Sequence, residues 1–139
     1  MTERTLMLAL TLAGCGGTVP YGSFVQGREP AQAAIAADAA KKLAASFGGA
    51  GEGIRFAHDA TDAFGRGLAT ELRKEGFAIR GAPADGELLV RYVVDAIKGT
   101  DMLRATIYVR ARTLSRAYAQ RGDELYPVGP WSVGVLHGS

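Results

Sequence analysis

Two stretches of strict alternation, joined by a short turn, constrain this chain most. In 87–97 the even positions carry Leu88, Val90, Tyr92, Val94 and Ala96, and in 102–112 the odd positions carry Leu103, Ala105, Ile107, Val109 and Ala111. A side-chain period of two marks a strand with one buried face. Between the stretches, Lys98-Gly99-Thr100-Asp101 puts glycine at the first central position of a two-residue type II′ turn. That turn predicts an antiparallel register with Ala96 opposite Leu103, Tyr92 opposite Ile107 and Val90 opposite Val109 on the inner face. The outer face then pairs Asp95 with Arg104, Arg91 with Tyr108 and Glu87 with Arg112. A slip of one residue would invert both faces at once, so turn, pattern and charge specify one pairing. Exposed pairs of this kind contribute roughly 0.2–1 kcal/mol each, which makes them register marks more than sources of stability.

Two helices precede these strands. In 31–47, Ile35, Ala39, Leu43 and Phe47 recur every fourth residue, Pro30 stands where a first-turn proline is tolerated, and Gly48-Gly49 ends the run. In 61–75, Phe64, Leu68 and Leu72 recur in the same way, with Asp59, Thr61 or Asp62 as cap and Gly76 as the stop. Short strands are expected at 54–58 and 77–80. A second hairpin, 114–119 with 124–128, turns at Gly122-Asp123. Pro127 and Pro130 confine its last strand to a sheet edge or end it, and Trp131 and Val133 are expected to close the core. The expected fold class is α+β: a two-layer domain with two helices packed on one face of a mainly antiparallel sheet. The core is thin. Leu, Ile, Val and Phe number 32 of 139 residues while Ala numbers 24, and Gly at 19 is about twice its usual share.

The N-terminus reads as an address. Residues 6–14 form an apolar run too short for a membrane-spanning helix, which needs about 20 residues, but of the length of a signal-peptide core. Leu12-Ala13-Gly14-Cys15 resembles the lipobox of bacterial lipoproteins, in which the leader is cut before a cysteine that then carries lipid. Cys15 is the chain's single cysteine, so no intramolecular disulfide is available to it. The organisation expected is a removed leader at 1–14, a lipidated tether at 15–30 and a periplasmic α+β domain at 31–139. The resemblance to lipoproteins with a residue other than Asp after the cysteine, here Gly16, implies the outer membrane. Within the tether, Val19, Tyr21, Phe24 and Val25 are too apolar for an idle linker. The segment either docks on a partner subunit or a sheet edge, with Tyr21, Phe24, Val25 and Gln26 as contacts, or packs back on its own domain.

Motifs for chemistry are sparse. The glycine loop 48–53 lacks the spacing of a dinucleotide fingerprint and the Lys-Ser/Thr of a phosphate loop. His58 and His137 are not accompanied by a zinc-ligand pattern, so no metal site is expected. No G-x-S-x-G occurs, and the carboxylates are scattered, most of them beside Arg or Lys, without forming an acid/base pair. No cofactor is expected apart from covalent lipid on Cys15. Arginine supplies 12 of the 16 basic residues, and Arg104, Arg110, Arg112, Arg116 and Arg121 follow one another without an intervening acid. Arginine with Tyr108 and Tyr118 on a sheet is a single-stranded nucleic-acid pattern. Neutralisation by Asp95 and Glu87 and a net charge of only +2 argue against direct nucleic-acid binding. Arg104, Arg110 and Arg112 then either meet a partner, an acidic subunit or lipid headgroups, or form a plain solvated face.

Several stretches, taken in order, resemble the TrbH family of conjugal-transfer lipoproteins. They are Leu12–Cys15, Tyr21–Gly27, Asp62-Ala63-Phe64-Gly65, Leu72-Arg73 with Gly76-Phe77-Ala78, Arg91–Asp95, and Ser115–Tyr118 running on to Trp131. The resemblance implies a structural subunit of a conjugative type IV secretion channel, fixed by lipid to the periplasmic face of the outer membrane. It implies packing with larger channel subunits and copies of itself in a ring. The family offers no catalytic residues, and only Cys15 carries over as a chemical site. A stand-alone binding or mating-exclusion lipoprotein is the alternative.

Overall fold

The computed structural model describes residues 21–48, 53–80 and 87–135. The lipobox Leu12–Cys15 with its leader, Val19, most of the glycine loop and His137 lie outside the described residues. Those described form an α+β fold of two helices and seven strands: β1 (Gly22–Ser23), α1 (Glu29–Phe47), β2 (Gly53–Phe56), α2 (Ala63–Lys74), β3 (Ala78–Ile79), β4 (Leu88–Ala96), β5 (Met102–Val109), β6 (Arg112–Arg121) and β7 (Glu124–Val135). The strands make one mixed, mainly antiparallel sheet in the order β3-β2-β4-β5-β6-β7, with β1 also paired to β4.

The expected hairpin register holds from Val90 to Ala96. Ala96 faces Leu103, Tyr92 faces Ile107, Val90 faces Val109, Asp95 faces Arg104 and Arg91 faces Tyr108. Its turn differs. The Thr100 amide donates to the Ile97 carbonyl at 3.1 Å, so the turn spans Ile97–Thr100 and Gly99, at φ 80°, is its third residue. Positive φ at the third position belongs to a type II arrangement, not to type II′. The Thr100 hydroxyl supports this turn, donating to Ile97 O and accepting from the Met102 amide.

The second strand is shorter than its alternation suggests. The chain reverses at Arg110-Ala111, and Arg112 begins β6 opposite Val109. Glu87 and Arg112 therefore do not meet. Glu87 takes Arg55 at 2.6 Å, while Arg112 lies 5.6 Å from the Phe47 ring centre at the end of α1. Arg110 carries the reversal at φ 57°, a conformation that costs a side-chain-bearing residue of order 1 kcal/mol or more. The second hairpin turns at Gly122-Asp123 as expected, between Arg121 and Glu124.

Strand β7 continues past the expected end near 128. A register irregularity places Gly129, Pro130 and Trp131 opposite Arg116, and pairing resumes from Ser132 to Val135. Trp131 packs against the core, but Val133 is 56% exposed. Val133 pairs with Leu114 but stands on β7, the last strand of the sheet, with no further strand beside it among the described residues.

One cluster joins Ile35, Ala36, Ala39, Ala40 and Leu43 of α1 with Phe64, Leu68 and Leu72 of α2. The same cluster takes in Val90, Tyr92 and Val94 of β4, Leu103, Ala105, Ile107 and Val109 of β5, and Leu114 and Tyr118 of β6. Each buried large apolar side chain contributes roughly 1.5–3 kcal/mol. The alanines of α1 contribute little area and instead let α2 approach: a Cβ on Gly67 would stand 3.4 Å from the Ala36 Cβ. Helix α2 ends in a Schellman motif, with Phe77 N donating to Leu72 O and Gly76 N to Arg73 O, and Gly76 at φ 100°.

Candidate functional site

The N-terminal segment is seated on its own domain. Gly22 and Ser23 pair parallel to Val93 and Val94 of β4, and the Phe24 amide donates to Val94 O at 2.8 Å. Strand β2 pairs with β4 on the same side, from Leu88 to Val90. Two short strands thus share one edge of β4 and leave a gap between them at Tyr92. The His58 ring fills the gap, its Nε2 accepting from the Tyr92 amide at 3.4 Å. A backbone N–H left inside a sheet without a partner is costly, so the imidazole does the work of a missing strand residue.

Two polar side chains fasten this strap. Asp62 caps α2 by accepting from Gly65 N at 2.8 Å, and it also accepts the Tyr92 hydroxyl at 2.9 Å and the Ser23 amide at 2.9 Å. One carboxylate therefore ties a helix start, the central strand and the strap. Gln32 is 3% exposed on the buried face of α1. Its Oε1 accepts from the Ser23 hydroxyl at 2.7 Å, and its Nε2 donates to Val25 O at 3.2 Å and Gly27 O at 2.7 Å. Burial raises the Tyr92 hydroxyl above the ordinary tyrosine range, and the hydrogen bond to Asp62 and the charges of Asp62 and Asp59 raise it further. Tyr92 thus stays a protonated donor.

Tyr21 opens the strap on the face of the sheet that carries Arg91 and Tyr108. Its ring stacks on His58 at 5.6 Å and meets the Tyr108 ring edge-on at 5.7 Å, with the Arg91 guanidinium 5.5 Å from its centre. Of the four contacts named for the tether, Tyr21 is half-buried in this cluster, Val25 packs on the core, and Phe24 and Gln26 are exposed.

The arginines named with them are dispersed. Arg104 forms a two-point pair with Asp95, at 2.9 and 3.3 Å. Asp95 holds the Arg104 guanidinium above its usual range, by hydrogen bond first and charge second. Arg110 donates to Glu87 O at the opposite end of β5, and Arg112 lies over Phe47. Arg116 reaches Asp38 on α1 at 2.8 Å and Gly129 O at 2.9 Å, where the Tyr118 hydroxyl also donates to Asp38 at 2.6 Å. Exposed apolar side chains gather instead on β7, at Tyr126, Val128, Val133 and Val135.

Sequence reasoning missed Gln32, His58 and Tyr92 as parts of the seat. Gln32 had a signal: a polar residue on the apolar stripe of a helix, three positions before Ile35. Among the described residues no group of three His, Cys, Asp or Glu is placed to hold a metal ion, and no helix is long and apolar enough to cross a membrane.

The class these features define is a small α+β domain whose N-terminal strap is built into its central strand. Compared with known families, residues 18–135 match the family described as conjugal transfer protein TrbH. That span is most of the chain, and the chain belongs to the TrbH family of conjugal transfer proteins. Comparisons with curated proteins and with solved structures found no match.

Proposed function

We propose that this protein is a structural lipoprotein subunit of a conjugative type IV secretion channel, held by lipid on Cys15 to the periplasmic face of the outer membrane. Its work is anchoring and assembly, without catalysis. The observation that carries the reading is the family match over residues 18–135, taken with the lipobox Leu12–Cys15 that lies just ahead of it. Two acyl chains or more anchor a protein stably where one does not. The two helices would cover one face of the sheet and leave the other, with the edge of β7, to channel subunits and to further copies of the chain. Phe24 and Gln26 on the strap, and Arg104 and Arg110 on the far face, are the contacts proposed for those partners; Tyr21, Val25 and Arg112 would act through the strap and helix they brace.

The test is isolation of the tagged protein from outer membranes in mild detergent, with particle size and subunit composition measured. A large particle containing channel subunits supports the reading. A small lipidated particle without them removes the channel assignment and favours a stand-alone binding module. Replacing Cys15 by Ser should shift the protein from the membrane to the soluble envelope fraction and lower conjugative transfer. Unchanged fractionation would sink the lipid anchor.

A further inference from the structure

We infer that the strap exchanges between copies of this chain: Tyr21–Phe24 of one copy occupies the β4 edge of a second, with the exchange returned or passed on. The inference stands on the domain itself and holds whether or not the channel assignment does.

The seat makes no distinction between its own strap and another's. The contacts to Val93, Val94, His58, the Asp62 carboxylate and the Gln32 carbonyl are all made by residues downstream of the strap, across the connector Val25–Arg28. A strap arriving from a neighbour would make the same bonds. What separates closed from exchanged forms is therefore the connector and whatever new surface the exchange covers.

The connector is bent at a cost. Gly27 stands at φ 67° and Arg28 at φ 56°, ψ 38°, two successive residues in the left-handed region, and the second carries a side chain. Arg28 is also the N-cap of α1 and supplies no side-chain cap. Opening the connector lets both residues return to extended backbone, and strained short hinges of this kind favour exchange. Phe24, 53% exposed in the closed form, would lie at the junction between two copies. Against exchange stand the two bonds from Gln32 Nε2 to Val25 O and Gly27 O, which depend on the bent connector. The connector's four residues extend to roughly 14 Å, so the copies must lie in direct contact.

The test uses the full chain with Cys15→Ser, so that introduced cysteines are the only ones. One differently tagged form carries Ser23→Cys and the other Val94→Cys, a directly paired couple in the register. After mixing at high concentration and mild oxidation, exchange yields a disulfide-linked dimer bearing both tags. Its yield should exceed by about tenfold the background set by Ser23→Cys mixed with Asp123→Cys, which lies in the β6–β7 turn. Adding Arg28→Gly should lower the yield several-fold by relaxing the connector, and adding Gln32→Met should raise it. A chain carrying both Ser23→Cys and Val94→Cys serves as the geometric control. Linkage within that chain, with only background dimer from the mixture, overturns the exchange. Light scattering of the chain without introduced cysteines gives an independent reading: a dimer that grows with concentration is expected, and a monomer at every concentration overturns the proposal.

Discussion

Tyr118 of β6 and Asp38 of α1 meet directly, the buried hydroxyl donating to the carboxylate at 2.6 Å. Tyr92 and Asp62 do the same for α2 at 2.9 Å. Each helix is thus fixed to the sheet by one aspartate reaching one core tyrosine. A hydrogen bond to a charged group contributes roughly 1.5–3 kcal/mol. Tyr118→Phe is expected to cost toward the lower end, because Arg116 still holds Asp38. A urea midpoint unchanged from the parent would contradict this.

Asp62→Ala should cost more than Asp38→Ala. It removes an N-cap, the Tyr92 acceptor and the Ser23 acceptor together, and the expected loss is about 3 kcal/mol. It should also speed amide hydrogen exchange at Ser23 while leaving the amides of β5 and β6 protected. Equal losses at the two aspartates would count against the strap's dependence on Asp62.

The two buried tyrosines predict alkaline sensitivity. Burial first, and the aspartate hydrogen bond second, hold both hydroxyls above the ordinary value near 10. The folded state therefore keeps protons that the unfolded state releases. Their contribution is full below about pH 10 and is lost as pH rises beyond it, by at most about 1.4 kcal/mol per pH unit for each tyrosine. Urea midpoints taken from about pH 8 to about pH 11 should stay level and then fall. In Tyr92→Phe the fall should be shallower.

Two glycines of α2 should respond oppositely to alanine. A Cβ on Gly65 would stand 2.2 Å from the Tyr92 hydroxyl and 2.5 Å from Ala60 O, so Gly65→Ala must displace the cap and is expected to cost at least 1–3 kcal/mol. At Gly67 the nearest atom is the Ala36 Cβ at 3.4 Å, and Gly67→Ala should gain up to about 1 kcal/mol from helix propensity. Thermal melts of the pair would reveal the contrast, and a stable Gly65→Ala would refute the close approach.

Arg110→Gly is expected to stabilise by about 1 kcal/mol, since glycine meets no penalty at φ 57°. The hydrogen bond from the Arg110 side chain to Glu87 O is exposed and offsets little. A lowered melting temperature would show that this contact outweighs the backbone.

The long elements were legible because several signals agreed on them. Alternation in β4 and β5, the acidic and basic partners Asp95 and Arg104, and a nearby glycine all specified one register. The reversal at Arg110-Ala111 was hidden because neither residue marks a turn, so the alternation read straight through to Arg112. The short strands expected at 54–58 and 77–80 are present as β2 and β3, whereas β1, with two residues inside an apolar tether, is too short for a period to show. The strap's seat was hidden for a different reason. Its fasteners, Asp62 and Gln32, lie 39 and 9 positions from Ser23, and only the folded chain brings them together. Asp62 was recognisable as a helix cap, but its second and third duties follow from tertiary contacts.

The parallel pairing of β1 with β4 sets how this domain would bear tension. Any pull arriving along the chain ahead of Tyr21 enters at two residues bonded side by side to the middle strand of the sheet. Traction along that strand's axis loads those bonds together in shear, whereas traction across it would peel them one at a time. The direction of approach of the preceding segment, more than the number of bonds, decides how much force the attachment withstands.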